Sequence, residues 1–231
     1  MTEPGRTPPG EPETGTDLPG TRRTEGFSDG VFAIVITLLV LDLASPEYRP
    51  GDLGAALTRQ WPSYLAFVVS FVYVGVIWLN HHALFARIRR LDLALNWINL
   101  GVLLGAVIIP FPTAVIASAF ATGNGQDERT AVVLYAFAAA FMSCTWLAAF
   151  SYLSHHPELL ERGTTPEYAR KQLARPITGI ALYVISGLAG WFINPVVGLV
   201  SIIIMIIYHA VTSEGLHEGP LGRLIRRKEH D

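Results

Sequence analysis

Six long apolar segments divide the chain, and none of them carries a charge in its middle. They run over Phe27–Leu43, from Leu53 or Trp61 to His81, and over Leu93–Ala121, Thr130–Leu153, Ile177–Ile193 and Val196–Val211. Uncharged runs of about 18 residues or more are long enough to cross the hydrocarbon core of a bilayer as helices. The pattern therefore predicts an all-α integral membrane protein with six transmembrane helices.

The segments outside this helical region have a different composition. Residues 1–22 are rich in proline and glycine and almost free of apolar side chains, so we expect a disordered N-terminal tail. The helical domain then covers residues 23–212, and a basic tail covers residues 213–231. The whole chain has 51% hydrophobic and only 16% charged residues with a net charge of −2, which argues against nucleic acid as a partner.

Lysine and arginine are distributed unequally between the two sides of a six-helix arrangement. Of the 17, 14 lie on the side that holds both termini, and three lie on the other side, at Arg49, Arg59 and Arg129. Because cytoplasmic loops of membrane proteins carry the excess of basic residues, this distribution predicts that both termini are cytoplasmic. An odd number of helices would place the basic C-terminal tail on the opposite side of the membrane. The distribution of basic residues therefore also favours six helices.

The first apolar segment opens with an ordered polar motif made of Arg23, Phe27, Ser28 and Asp29. A helix that begins near Phe27 has Asp29 in its first turn, where a carboxylate caps unpaired N–H groups and meets the positive end of the helix dipole. A second interpretation is that Arg23 forms an ion pair with Asp29 and fixes the start of the helix. The residues alone leave both interpretations open.

A stripe of four residues follows the motif along the same helix. Ile34, Thr37, Leu38 and Leu41 have i, i+3, i+4, i+7 spacing and share an arc of about 100°. Such a stripe lines a pore, packs against another helix or faces lipid. A single threonine in a span usually donates its hydroxyl to the backbone, here to the carbonyl of Ala33. The spacing does not decide among these roles.

The motif and the residues after it resemble a known family. Arg-x-x-x-Phe-Ser-Asp, followed by Gly-Val-Phe-Ala-Ile-Val-Ile-Thr-Leu-Leu-Val-Leu-Asp, is similar to the first helix of the transmembrane protein 175 family of potassium channels. The resemblance extends to the six-helix plan and implies a homotetramer whose central pore is lined by the first helix of each subunit. It also implies a pore without the usual potassium filter loop, and the nearest string here is Val72-Tyr73-Val74-Gly75.

The same resemblance implies roles for the stripe. The family has an apolar constriction and a threonine layer at the positions that match Ile34 and Thr37. Rings of Ile34, Leu38 and Leu41 would line the pore and close it, because branched apolar side chains exclude water from a narrow channel. A ring of Thr37 hydroxyls would offer oxygen atoms to K⁺ and contribute selectivity. We therefore expect passive K⁺ conduction across the plasma membrane.

Asn80, His81 and His82 end the second segment on the same predicted side of the membrane as Asp29. Polar side chains that face inward stabilise contacts between transmembrane helices. We expect one of the histidines to bond Ser28 or Asp29 and to brace the start of the first helix. Protonation of that histidine would make the contact sensitive to pH.

The same pattern is compatible with other functions to different degrees. A metal enzyme is disfavoured, because His81 and His82 point about 100° apart on a helix and the chain has no H-x-x-x-H or Cys-x-x-Cys spacing. We expect no catalytic residues, no metal site and no cofactor. A secondary transporter remains open, although the acidic residues lie at segment ends rather than in their middles. A non-conducting membrane assembly protein also remains open.

Overall fold

A computed structural model describes residues 19–43, 45–164 and 166–213. These residues form nine α-helices: α1 Pro19–Leu38, α2 Leu53–Arg59, α3 Trp61–Phe85, α4 Leu93–Ile108, α5 Pro110–Thr122, α6 Gly125–His155, α7 Pro166–Gln172, α8 Ala174–Phe192 and α9 Pro195–Val211. Short 3₁₀ turns follow α1 at Leu39–Asp42 and α6 at Pro157–Leu159. The architecture of the described residues is thus all-α, as predicted, with one isolated β-bridge between Ile88 and Leu160.

Five helical segments are long and apolar enough to cross a membrane. They are Gly20–Asp42, Trp61–Phe85, Leu93–Thr122, Gly125–His155 and Glu167–Phe192. Helix α9, at the position of the predicted sixth segment, is apolar but has only 17 residues. The chain is therefore a helical membrane protein with five helices of spanning length among its described residues.

The first helix begins earlier than its hydrophobic pattern predicted. Helix α1 starts at Pro19 rather than near Phe27, so the predicted tail boundary at residue 22 lies inside the helix. Residues 19–26 contain no large apolar side chain, and hydroxyl groups attach them to the rest of the bundle instead. Thr21 donates to the backbone carbonyl of Arg89 at 3.4 Å. The Thr24 hydroxyl shares its one proton between the carbonyl of Gly20 at 3.2 Å and the side-chain oxygen of Asn96 at 3.4 Å. The remaining parts of both predicted tails, residues 1–18 and 214–231, lie outside the described residues.

The long helix α6 is the centre of the bundle and packs against α4, α5, α8 and α9. Its buried face is rich in small side chains, including Ala131, Ala138 and Ala139, each of which is almost fully buried. Small residues let transmembrane helices approach closely, and van der Waals contact then replaces the hydrophobic effect as the main driving force. Helix α1 lies at the edge of this bundle, where it packs on α3 and α4.

Helices α8 and α9 form a hairpin around the predicted turn at Asn194–Pro195, which the structure confirms. The side chain of Asn194 accepts a hydrogen bond of 2.8 Å from the backbone N–H of Val196, and Pro195 begins the helix. Glycines at Gly190 and Gly198 let the two backbones meet, since a Cβ atom on Gly198 would lie 2.6 Å from the Cα atom of Gly190. The two helices therefore pack without intervening side chains near the turn.

Candidate functional site

Helix α1 has one packed face and one free face within the subunit. Ser28, Phe32, Val35 and Leu39 are at most 1% exposed, and their spacing of four, three and four residues gives a continuous stripe towards α3 and α4. The opposite face makes few contacts within the subunit. This division orients α1, because only one rotation about its axis buries the whole apolar and hydroxyl stripe.

The predicted pore residues all lie on the free face. Ile34 is 60% exposed, Leu38 42% and Leu41 71%, and Thr37 is exposed as well. The Phe27 side chain of the motif shares this exposure at 58%. The other described residues do not cover this row of branched apolar side chains. The row is therefore available to lipid, to another protein chain or to a pore. The exposure of the stripe removes the interpretation that it packs against another of the described helices of the same chain.

Thr37 is the hydroxyl residue on this free face. Its Oγ1 donates to the backbone carbonyl of Ile34 at 2.8 Å, three residues back rather than the four expected. Donation uses the hydroxyl proton and leaves the lone pairs of the oxygen directed away from the bond. The oxygen of Thr37 can therefore still coordinate a cation, while its hydrogen bond to the Ile34 carbonyl fixes the side-chain rotamer.

Asp29 lies differently from the sequence prediction. Because α1 begins at Pro19, ten residues before Asp29, the aspartate is in the third turn and does not cap the helix. Its carboxylate accepts a hydrogen bond of 2.9 Å from the indole Nε1 of Trp78 on α3. Among the described residues, no ion pair joins Asp29 to Arg23. Six residues of continuous helix turn these two side chains about 120° apart, which explains why they do not meet within one subunit.

A buried chain of hydrogen bonds connects α1 to α3 through α4. Asn99 on α4 donates from Nδ2 to the Ser28 hydroxyl at 3.1 Å, and its Oδ1 lies 2.8 Å from Nε2 of His81. Ser28 in turn donates to the carbonyl of Thr24 at 2.9 Å. The predicted bond between a histidine and Ser28 is thus indirect, with Asn99 as the link. Since Asn99 offers its oxygen to His81, the geometry fits a neutral imidazole that carries its proton on Nε2.

Aromatic rings enclose His81 on two sides. The Phe85 ring stacks on the imidazole at a centroid distance of 4.3 Å, and the Phe32 ring of α1 approaches edge-on at 5.2 Å. The imidazole is 1% exposed, and its Nδ1 has no hydrogen-bond partner among the described residues. A bare nitrogen lone pair is easier to bury than a bare N–H, which agrees with the neutral tautomer.

The two neighbours of His81 have separate partners. His82 lies 3.2 Å from the carboxylate of Glu25 on α1, at a more exposed position. The Oδ1 of Asn80 accepts a hydrogen bond of 3.0 Å from the Ser213 hydroxyl just after α9. The three adjacent residues of α3 thus contact three different places. His82 contacts the first turns of α1, His81 contacts the buried face of α1, and Asn80 contacts the end of α9, because successive side chains leave a helix at about 100° intervals.

Two residues of this network were not identified from the sequence. Trp78 donates to Asp29. Asn99 bonds both Ser28 and His81. The i, i+3, i+4 spacing of Trp78, His81 and His82 is the signal that places them on adjoining sides of α3 near α1.

Asp92 fixes the start of α4 outside the membrane segments. Its carboxylate accepts hydrogen bonds from the hydroxyl of Tyr152 on α6 and from the backbone N–H of Leu95 at 2.7 Å. The Tyr152 hydroxyl, followed by the Leu95 N–H, lowers the pKa of Asp92 below its ordinary value. This contact joins α4 to α6, and so positions the helix that carries Asn99.

The filter-like string Val72–Gly75 lies inside helix α3. Val74 is fully buried there, and the backbone is helical rather than extended. Helical carbonyl groups are already paired within the helix, so this string does not form a loop of carbonyls that coordinates ions. Within the described residues, no group of three His, Cys, Asp or Glu side chains is placed to hold a metal ion.

Known proteins with similar sequences identify the family of this chain. A sequence profile of the family described as endosomal/lysosomal potassium channel TMEM175 matches residues 23–110. A potassium channel of Streptomyces collinus is 40% identical over 163 residues, which are 68% of this chain and 79% of that protein. The chain belongs to the TMEM175 family. The matched residues include the α1 motif, Asn80 to His82 and Asn99.

Solved structures of TMEM175 proteins have the same fold. The crystal structure of a lysosomal potassium-selective channel TMEM175 homolog from Chamaesiphon minutus superposes with a TM-score of 0.74 at 31% identity, and the match covers 84% of this chain and 98% of that one. The endosomal/lysosomal proton channel TMEM175 of Homo sapiens is 34% identical over 152 residues, which are 60% of this chain but only 29% of the human protein. The TMEM175 likeness thus covers most of this chain and a minor part of the human protein.

Proposed function

We propose that this TMEM175 protein is one subunit of a homotetrameric potassium channel that conducts K⁺ passively across the plasma membrane. The observation that carries the proposal is the free face of α1, where Ile34, Thr37, Leu38 and Leu41 remain exposed while the opposite face is packed. Four copies of this face around a central axis form a pore lined by the first helix. Membership of a family of channels supports this use of the face over contact with lipid.

In this pore each member of the stripe has a separate role. Ile34 forms the narrowest ring and excludes water when the pore is closed, and Leu38 and Leu41 extend the apolar lining. Thr37 lies about 4.5 Å further along the axis and offers a ring of hydroxyl oxygens to K⁺. K⁺ holds its water less tightly than Na⁺, so neutral oxygens favour it. The pore needs no carbonyl filter loop and no bound cofactor.

The proposal includes six transmembrane helices with both termini in the cytoplasm. Helix α9 has 17 residues, which correspond to about 26 Å of helix, at the lower limit of lengths that span a bilayer. A sixth crossing returns the chain to the side where 14 of the 17 lysine and arginine residues then lie. The tight turn at Asn194 supports an antiparallel return of α9 along α8.

The network behind α1 serves the pore as a brace. Ser28, Asn99 and His81 join the buried side of α1 to α4 and α3, and Trp78 holds Asp29 close by. These contacts fix the rotation of α1 about its axis. A rotated α1 would turn Ile34 and Thr37 away from the axis, so the brace defines which residues line the pore.

The purified protein in liposomes tests this function. We expect unitary K⁺ current steps in a planar bilayer and K⁺ flux down its gradient without a coupled ion. A coupled transporter would instead give saturable flux without unitary steps, and an assembly protein would give neither. Because the animal relatives are named proton channels, the same liposomes loaded with a pH-sensitive dye measure proton flux separately. Cross-linking in detergent tests the count of four subunits.

A further inference from the structure

A cavity of about 80 Å³ lies inside the subunit, on the opposite side of α3 from the α1 brace. It is bounded by α3, α6, α7, α8 and α9, and none of its lining residues belongs to α1. Its polar lining includes Tyr73, Asn80, Ser143, Tyr168, Gln172, Arg175 and His209. The cavity is therefore separate from the proposed pore, and nothing in the pore mechanism uses it.

Arg175 gives the cavity a positive charge. The residue is half-buried at the start of α8, and its Nη1 donates a long hydrogen bond of 3.4 Å to the side-chain oxygen of Gln172. Among the described residues, no aspartate or glutamate contacts its guanidinium, and none lines the cavity. A guanidinium has five N–H donors, and a partly buried charge is costly unless an anion pairs with it. The lining therefore favours an anionic ligand and disfavours a cation.

His209 and Ser143 add polar groups next to Arg175. A Cβ atom on Gly179, one helical turn after Arg175, would lie 2.8 Å from the Ser143 hydroxyl and 3.3 Å from Nε2 of His209. The glycine thus lets α8 approach the two polar side chains, which come from α6 and α9. The Ser143 hydroxyl already donates to the carbonyl of Ala139 at 3.1 Å, so the guanidinium, imidazole and amide groups are the donors available to an oxyanion.

The remaining wall of the cavity is apolar and includes Met142, Trp146 and Phe150. An apolar wall beside the positively charged Arg175 suits an amphiphile that has an anionic headgroup. The volume of about 80 Å³ exceeds the roughly 10–15 Å³ that one water molecule needs by this measure, so it admits a group of about five heavy atoms. Phosphate has five heavy atoms and matches the bidentate geometry of arginine.

We propose that this cavity binds a phosphate group, with the headgroup of an anionic phospholipid as its source. The phosphate would contact the Arg175 guanidinium and the His209 imidazole, and the glycerol region would lie along the apolar wall. Bound in this way, it would connect α8 and α9 to α6 and so stabilise the bundle behind the pore. This inference does not depend on ion conduction or on the subunit count.

The test uses the purified full-length protein in detergent with a short-chain phosphatidic acid. Binding is measured by isothermal titration calorimetry and by the shift in thermal unfolding midpoint. Short-chain phosphatidylcholine, whose phosphate is covered by a cationic choline, and inorganic phosphate alone are titrated in parallel. We expect saturable binding of phosphatidic acid, weakened about tenfold or more in Arg175→Gln, because a charge-assisted pair is lost.

The matched control is Arg170→Gln, which removes the same charge from an exposed position of α7. It should bind phosphatidic acid like the wild-type protein. Should Arg175→Gln fail to fold, His209→Gln removes the second contact and is expected to weaken binding severalfold. Unfolding midpoints without lipid show which variants are folded.

The proposal would be overturned by binding that Arg175→Gln and His209→Gln leave unchanged, or by equal weakening in Arg170→Gln. Equal affinity for phosphatidylcholine and phosphatidic acid would overturn it as well, since an apolar surface alone would then account for binding. Saturable binding of inorganic phosphate that also needs Arg175 would support the phosphate site and identify a soluble ion as a sufficient source.

Discussion

Asn99 offers the most direct test of the brace behind α1, the helix proposed to line the pore. In Asn99→Leu the side chain keeps a similar volume but loses both hydrogen bonds, one to Ser28 at 3.1 Å and one to His81 at 2.8 Å. Ser28 still donates to the carbonyl of Thr24, so the loss of the bond from Asn99 has only a small cost in free energy at Ser28. The Nε2–H group of His81, at 1% exposure, is left without a partner.

The expected cost follows from that single orphaned donor. An unpaired buried N–H group costs about 1–3 kcal/mol. For a chain of this size each kcal/mol lowers the unfolding midpoint by about 2–4 °C, so a decrease of about 2–12 °C is expected. The assay is thermal unfolding of the purified protein in detergent, followed by tryptophan fluorescence.

Two further variants make this prediction specific. Asn96→Leu is the matched control, because Asn96 is one turn away on α4 and only partly buried. This variant loses a 2.9 Å bond to the Asp92 carbonyl and a 3.4 Å contact with Thr24, but both groups keep another partner. The double variant Asn99→Leu with His81→Phe removes both partners and should recover part of the lost stability. Equal midpoints for Asn99→Leu and Asn96→Leu, or no recovery in the double variant, would refute the reasoning.

Three other predictions concern the pore and the start of α4. Ile34→Asn should raise basal K⁺ flux in liposomes because the apolar seal becomes wet, whereas Ile204→Asn, on the equally exposed position of α9, should not. Thr37→Val should lower the K⁺/Na⁺ permeability ratio, measured as a shift in bi-ionic reversal potential, while the channel still conducts. Tyr152→Phe should lower the unfolding midpoint at pH 7, and the difference from wild type should shrink under acid, because the depressed pKa of Asp92 stabilises the fold only while the carboxylate is ionised.

Each of these has an outcome that contradicts it. Unchanged conductance in a folded Ile34→Asn channel would mean that the seal lies elsewhere. A wild-type reversal potential in Thr37→Val would mean that the hydroxyl serves only its backbone bond to Ile34. The stabilisation that the Tyr152 hydroxyl provides should be complete above the ordinary pKa of 3.8 for an aspartate. It should disappear as the pH falls through the lower pKa of Asp92 in the folded protein. A midpoint difference that stays constant down to pH 3 would show that the hydroxyl does not act through Asp92.

The grouping of the stripe on one face of α1 was predictable from the sequence, but the residue at which α1 begins was not. The i, i+3, i+4 spacing of Ile34, Thr37 and Leu38 assigns them to one face, and they do lie together on the free face. The start at Pro19 had no hydrophobic signal, because residues 19–26 lack large apolar side chains. Hydroxyl contacts from Thr21 and Thr24 hold that part of the helix, and such contacts depend on which backbone lies nearby.

The sequence by itself determined the all-α character of the chain, its long apolar helices and the family to which they belong. Uncharged runs of this length are typical of membrane-spanning helices, and the motif from Arg23 to Asp29 is long enough to be distinctive. Only the tertiary structure decided the partners: Trp78 for Asp29, Asn99 for Ser28 and His81, and the cavity around Arg175. The physical reason is that helical periodicity specifies the direction in which a side chain leaves its own helix. The side chain it meets there depends on how the other helices are placed around it.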